Sequence, residues 1–343
     1  MSLRVRKGRI EILDQRALPL EEKWLPVQNL DEMYHYIKVL AVRGAPMIGC
    51  AAALSLAQWR CQNPYADLDT AVARMRTARP TAVNLMYCCD YITQQCKASN
   101  NYSAAHITQL AFDLIKREQQ MCLSMARHGA SLVLDGENIL THCNTGSLAT
   151  IGMGTALGVI RQAHRMGKKI HVYVDETRPL LQGGRLTSYE LSKENIPYTV
   201  ICDNMAAHLM SQEKIQRVFV GADRIAMNGD FANKIGTYSL AIVSKYHQVP
   251  FHTVSPVSTI DFDCNSGRDI CIEERDMNEV LGAFGTKWTP HGALGYNPAF
   301  DVTPIGLVTS MVLDSGVFTR EEIQEGRLWD LKKPAHVDER TKI

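Results

Sequence analysis

A chain of 343 residues, 45% of them hydrophobic, can bury a large core and should hold two domains or one long α/β domain. Its 37 basic and 36 acidic residues leave a formal charge of +1, which offers no global field to nucleic acid or an anionic membrane, so any anionic ligand must be held locally. The N-terminus lacks the apolar core of a signal peptide, no apolar run reaches the roughly 18 residues of a spanning helix, and ten cysteines without disulfide or zinc spacing suit a reducing compartment, so a cytoplasmic protein is expected.

In chain order, Arg9–Leu13 and Trp24–Val27 read as short strands around the turn-like Leu18-Pro-Leu-Glu-Glu, a small N-terminal sheet or arm. Apolar residues then recur at helical spacing over Leu30–Leu40 and Gly49–Gln58, and longer helical segments follow at Ala82–Cys96 and Ser103–Ala126. Near residue 130 the period changes. Candidate strands Asn138–His142, Lys169–Val174, Tyr198–Ile201, Arg217–Val220 and Phe251–Val254 alternate with helical stretches Leu148–Met166, Ser188–Glu194, Asn204–Met210 and Ile235–Tyr246. That alternation predicts an α/β protein: a mainly helical N-terminal domain with a short β arm over 1–130, then a domain over 131–343 with a mostly parallel sheet covered on both faces. The charged residues from Lys332 onward are expected to fray.

A doubly wound sheet presents ligands at the carboxyl ends of its strands, and two apolar runs deliver acid/base groups there. Asn138-Ile-Leu-Thr-His-Cys143-Asn-Thr-Gly146 ends in a thiol, and a helix opening near Ser147 would ease its ionisation. The alternative for Cys143 is an inert small hydrophobe. His142 should point to the opposite face of the strand, which argues against a Cys-His nucleophilic pair. The second run, Gln216-Arg-Val-Phe-Val-Gly-Ala-Asp223, ends in a carboxylate, read as a general base or as a helix-cap aspartate.

Anion grips lie nearby in the chain. In Arg43-Gly44-Ala45-Pro46 a tight turn feeds a helix whose free amides attract a phosphate, with Arg43 adding charge, and Arg79-Pro80 has the same form. Asn233 and Lys234 are placed where they would open the helix Ile235–Tyr246, and Asp175 through Gln182 to Arg185 follows another strand. No G-x-G-x-x-G, Walker lysine or metal-ligand spacing accompanies them. The expectation is chemistry without cofactor or metal on a small, phosphorylated, hydroxylated substrate.

The blocks Arg43-Gly-Ala-Pro, Arg79-Pro-Thr-Ala-Val-Asn-Leu, Thr141-His-Cys-Asn-Thr-Gly, Glu176-Thr-Arg-Pro, Gly221-Ala-Asp-Arg, Asn233-Lys-Ile-Gly-Thr and Asn297-Pro-Ala-Phe-Asp-Val-Thr-Pro304 occur in the order that marks the methylthioribose-1-phosphate isomerases, which this chain resembles from Ile12 to about Glu322. Ribose-1,5-bisphosphate isomerases and the regulatory subunits of eukaryotic initiation factor 2B belong to the same wider group. The resemblance implies an aldose–ketose isomerisation in methionine salvage and a small helical domain on a Rossmann-like one. It further implies a homodimer, catalytic roles for Cys143 and Asp223, and substrate contacts from Arg43, Gly44, Ala45, Arg79, Gln182, Asn233 and Lys234. Gly184 and Met47 depart from the family pattern, away from these positions. A sister isomerase acting on 5-deoxyribose 1-phosphate or ribose 1,5-bisphosphate would reuse the same acid/base pair, although the sequence offers no extra basic cluster for a 5-phosphate. A non-catalytic regulatory subunit would have no use for the thiol and carboxylate.

Overall fold

The computed structural model describes residues 2–79 and 82–332. The expected helix opening at Pro80 and the charged end beyond Lys332 lie outside them. Strands β1 (Leu3–Arg6), β2 (Arg9–Leu13) and β3 (Trp24–Val27) pair antiparallel in that order. The sequence reading lacked β1: Leu3-Arg-Val-Arg6 does alternate apolar and basic residues, but over only four positions, and of these only Leu3 is buried.

Five helices follow: α1 (Leu30–Lys38), α2 (Ala45–Gln62), α3 (Leu68–Arg76), α4 (Val83–Ser99) and α5 (Ala104–Ala130). Side chains of Asn29, Asp67 and Ser103 accept backbone N–H groups at the starts of α1, α3 and α5, the role that short polar residues fill at an N-cap. Helix α3 was not anticipated, although Leu68, Ala71, Val72 and Met75 form a buried stripe at helical spacing. Helix α2 is buried almost all round, so it forms the centre of the layer, and Cys50, Cys88, Cys89 and Cys96 pack in the same core. Ile107, Leu110, Ala111 and Leu114 of α5 belong to that core, whereas Cys122, Met125 and Ala130 belong to the core of the sheet that follows. One helix therefore ties the two layers together.

The remaining chain alternates as anticipated: β4 (Asn138–Thr141), α6 (Ala156–Arg165), β5 (His171–Asp175), α7 (Ser188–Lys193), β6 (Tyr198–Ile201), α8 (Ala206–Ser211) and β7 (Arg217–Val220). After a short excursion, β8 (Arg224–Ile225) and β9 (Phe231–Lys234), come α9 (Thr237–Tyr246) and β10 (Phe251–Val254). A hairpin of β11 (Gly282–Ala283) and β12 (Thr286–Lys287), then β13 (Phe300–Thr303), β14 (Ser310–Leu313) and β15 (Gly316–Thr319), complete the strands. The main sheet has seven strands in the order β15-β14-β10-β7-β4-β5-β6, with every neighbouring pair parallel except β14 and β15. Ile139, Val172, Val174 and Phe219 pack on one face with α5 and α6, and Leu140, Val218 and Val220 on the other with α8 and α9. This α/β fold with a mostly parallel, doubly covered sheet is the expected class.

Strand order reverses between β4 and β7, from which the chain winds toward β6 on one side and β14 on the other. A doubly wound sheet opens its ligand crevice at such a point. Cys143 and Asp223 follow these two strands.

Two local expectations fail. The stretch Leu148–Met166 is not one helix, since residues 148–155 form a loop and α6 starts at Ala156. Gly154 adopts φ 104° and passes so close to Thr145 and Gly146 that a Cβ there would lie 2.5 Å from the Thr145 carbonyl oxygen. Asn233 and Lys234 do not open a helix either: they end β9, which pairs with β13.

Candidate active site

The Arg43–Ala45 turn is built on a backbone that only glycine accepts readily. Gly44 has φ 98°, and an added Cβ would lie 2.4 Å from Ala149 Cα. Pro46 has no N–H, and the Met47 N–H donates to Ala149 O, so the turn is pinned against the loop that follows Cys143. The amides of Gly44 and Ala45 have no bond to another described residue and stand at the positive end of α2. Arg43 reaches across to donate to Asn144 O at 2.8 Å and Asn144 Oδ1 at 3.3 Å.

Cys143 itself has a left-handed backbone, φ 62°. Its amide donates to Thr177 Oγ1 at 2.8 Å and its carbonyl accepts from Thr187 Oγ1 at 2.6 Å. Beyond it, Glu190 anchors the loop, accepting from Asn144 Nδ2, from Ser147 N and Oγ, and from Arg161. Burial pushes the Glu190 carboxyl up, but Arg161 with the Asn144 and Ser147 bonds more than offsets this and holds it below the usual range.

A cavity of about 90 Å³ opens where β4 and β7 end, lined by Arg43, Gly44, Ala45, Arg79, Cys143, Gln182, Asp223, Asn233 and Lys234. All nine residues singled out from the sequence thus meet in one place. Arg79 donates to Glu273 Oε2 at 2.8 Å. Lys234 donates to Ala299 O at 2.6 Å and lies 4.4 Å from the centre of the Phe300 ring. Asn233 Nδ2 donates to Thr237 Oγ1 at 2.9 Å. Gln182 is 5% exposed, yet its Oε1 has no partner among the described residues, which leaves an unsatisfied buried acceptor on a residue that lines the cavity.

The electrostatics correct one expectation. Cys143 does not abut a free helix end, because α6 begins at Ala156 and its Leu157 amide is taken by Thr145 Oγ1 at 3.1 Å. Burial raises the Cys143 thiol above its ordinary value, against the pull of Arg43 and Lys234. Burial likewise raises Asp223 and lowers Lys234. Lys234, Arg43 and Arg79 oppose the rise at Asp223, and the thiol and carboxylate oppose the fall at Lys234. Charge on any of the three groups is expensive unless the others or a ligand balance it.

Leu40, Asn144, Thr145, Pro256, Arg275 and Phe300 also line the cavity. Sequence reasoning took Asn144 and Thr145 only as the turn after Cys143 and did not single out the others: Arg275 sits in a charged run that reads as surface, and Phe300 reaches the cavity through β13 pairing with β9. Ile151 and Met153, the apolar residues that follow Cys143 in the chain, do not line the cavity: Ile151 lies in the helical core and both line a different surface groove. A wider groove of about 620 Å³ shares Leu40, Arg43, Gln182 and Arg275 with the cavity and forms its mouth. It gathers Arg16, Lys38, Arg185 and Lys287, a concentration of cations that linear spacing concealed. Arg16 is bound by Asp14, Arg185 by the carbonyls of Gln15, Leu18 and Leu180, and Arg275 by Glu279.

Comparison with known proteins places these features in a family. Residues 41–320 match the model of the initiation factor 2 subunit family. A methylthioribose-1-phosphate isomerase of Klebsiella pneumoniae is 51% identical over 330 residues, covering 95% of this chain and 96% of the relative. The crystal structure of 5-methylthioribose 1-phosphate isomerase from Pyrococcus horikoshii superposes with a TM-score of 0.87 at 38% identity over 96% of each chain. That of translation initiation factor eIF-2B, subunit delta, from A. fulgidus gives 0.82 at 35% identity, over 96% of this chain and 99% of the other. Among the described residues no helix is long and apolar enough to cross a membrane.

Proposed function

The chain belongs to the methylthioribose-1-phosphate isomerases of the initiation factor 2 subunit family, and from that premise we propose how its residues carry the reaction. The enzyme converts 5-methylthio-D-ribose 1-phosphate to 5-methylthio-D-ribulose 1-phosphate in methionine salvage. A phosphate on the anomeric oxygen prevents the sugar from opening spontaneously to a free aldehyde, so the site must open a glycosyl phosphate. The bond from C1 to the ring oxygen breaks, the ring oxygen gains a proton, hydrogen leaves C2 for C1, and the C2 hydroxyl gives up its proton.

Asp223 exchanges protons with the ring oxygen and the C2 hydroxyl, a task suited to a carboxyl whose affinity for protons is raised by burial. Cys143, a thiol that burial keeps protonated, assists the transfer of hydrogen from C2 to C1. The phosphate is held by the Gly44 and Ala45 amides with Arg43 and Arg79, and the sugar hydroxyls by Gln182, Asn233 and Lys234. Lys234 serves both groups, since its ammonium is balanced by the Asp223 carboxylate and stands within the field of Cys143. The observation that carries this reading is the convergence of the two strand-tip groups with the amide-and-arginine turn in one cavity at the sheet's switch point.

The division into 1–130 and 131–343, a cytoplasmic location and a homodimeric state complete the proposal, and light scattering of the purified protein tests the last. The deciding experiment is turnover of wild-type and Asp223→Asn protein on 5-methylthioribose 1-phosphate, with 5-deoxyribose 1-phosphate and ribose 1,5-bisphosphate in parallel. Ketose from the methylthio sugar, abolished by Asp223→Asn, is the expected result. Folded wild-type protein that turns over none of the three would leave the binding-subunit reading.

A further inference from the structure

Directly before Cys143, the buried His142 ring is engaged at both nitrogens. Nε2 lies 2.9 Å from Ile235 O and Nδ1 lies 2.9 Å from Asp175 Oδ2. A carbonyl oxygen only accepts, so Nε2 carries a hydrogen. An imidazole lone pair facing a carboxylate oxygen at that distance would repel it, so a second proton lies between Nδ1 and Oδ2. The couple is therefore neutral overall, whether the shared proton is drawn on the ring or on the acid.

Its connections run to both sides of the reaction site. Ile235 follows Lys234, and Gly236 packs so tightly on the ring that a Cβ there would lie 3.0 Å from His142 Cε1. On the other side Thr177 Oγ1 donates to Asp175 O at 3.0 Å and accepts the Cys143 amide at 2.8 Å. Thus the end of β5 holds the backbone of Cys143, and the ring between them holds the backbone next to Lys234. We propose that His142 and Asp175 are positioning residues of the isomerase, whose shared proton fixes the Lys234 segment against the Cys143 tip and keeps the floor of the site neutral. This rests on the reading of Cys143 and Lys234 given above.

Other charged groups face the couple: Asp203 and Glu176 beside Asp175, and Asp301, which binds the Gly236 amide. Both Asp203 oxygens are committed to the Thr177 and Arg178 amides. Within the cluster of His142, Asp175 and Asp203, both Asp203 oxygens and Asp175 Oδ2 are thus engaged, while Asp175 Oδ1 is buried with no partner among the described residues. Burial pushes the Asp175 carboxyl up to about 6 despite His142, and the carboxylate outweighs burial to leave His142 raised. Both shifts favour retention of the shared proton near neutral pH. Its loss on raising the pH would leave a net negative charge under the thiol and set the Nδ1 lone pair against the Asp175 carboxylate, pushing the ring away from the end of β5.

The test compares Asp175→Ala with Asp175→Asn in the full-length enzyme, using 5-methylthioribose 1-phosphate and recording kcat and KM separately across pH. The asparagine amide can donate to Nδ1 of a neutral ring, preserving the geometry with no titrating proton. Expected for Asp175→Ala is a fall in kcat of about 10–100-fold with KM changed by less than about threefold, the pattern of lost positioning. Asp175→Asn should recover at least about a third of kcat and drop one titration from the alkaline limb, leaving those of Cys143 and Lys234. Full kcat in a folded Asp175→Ala protein overturns the proposal, as does an Asp175→Asn enzyme whose alkaline limb is identical to wild type, which remains decisive should Asp175→Ala fail to fold. Cys143→Ser separates the two levels: if it turns over like wild type, the site reading itself fails, whereas an inactive Cys143→Ser beside a fully active Asp175→Ala removes only the positioning couple.

Discussion

The two walls of the cavity are made of different chemistry. The helical layer contributes Arg43, Arg79 and the backbone amides of Gly44 and Ala45, groups that hold charge or dipole constantly across physiological pH. The sheet contributes Cys143, Asp223 and Lys234, groups whose ionisation burial has shifted and whose charges are mutually dependent. One wall suits gripping an anion; the other suits moving protons. Between them, binding energy collected at a fixed phosphate can be applied at the reacting carbons.

If that partition holds, substitutions on the sheet wall should act on kcat and those on the helical wall on KM. The largest effect is expected from Cys143→Ser, a fall in kcat of about 10²–10⁴-fold with little change in KM, read by steady-state ketose formation. Arg79→Ala should instead raise KM by about 10–100-fold, the value of one charge-assisted contact of about 1.5–3 kcal/mol. An Arg79→Ala enzyme with normal KM and depressed kcat would break the comparison. A smaller effect distinguishes two glycines. Gly44→Ala must put a side chain at φ 98° and against Ala149, at a cost of about 1–3 kcal/mol, so melting temperature should fall and KM rise. Gly184→Ala meets only Glu176 Cβ at 3.6 Å, ordinary contact, and should change neither.

The sequence carried the sheet wall better than its surroundings. Short apolar runs ending in Cys143 and in Asp223 could be read as buried parallel strands, and the register of Thr141 opposite Phe219 places their ends side by side. What strand spacing could not convey was the order of strands, because adjacency of β4 and β7 is decided by how crossovers pack, not by local pattern. The loop 148–155 was misread as helix because Leu148, Ile151 and the residues of α6 share helical spacing, while the close pass of Gly154 over Thr145 is a tertiary contact. Lys234 reaches the cavity as anticipated, but from a strand end rather than a helix start, since the partner that makes it strand, β13, lies more than sixty residues downstream. The ionisation of Cys143 was misjudged for the same reason: burial, which decides its direction, is a property of the assembled layers.

The seam between the two layers offers the mildest test, and it concerns stability alone. Glu118 on α5 is 3% exposed, its Oε2 has no partner among the described residues, and it faces Asp314 beyond β14. Burial, aided by Asp314, pushes its carboxyl up to about 7, against the Ser258 bond and Arg117. A carboxyl near 4.3 in the unfolded chain and near 7 in the folded one binds more protons when folded, so its contribution is fully present below about pH 4.3 and is lost as the pH rises through about 7. Glu118→Gln removes that titration. Denaturant unfolding of the variant should therefore match wild type near pH 4 and exceed it near pH 8 by an amount on the order of 3 kcal/mol. The catalytic constants should stay unchanged, because the seam touches neither wall of the cavity. A stability difference that does not vary with pH would mean that the carboxyl keeps one protonation state throughout, and that the layers meet without a titrating group between them.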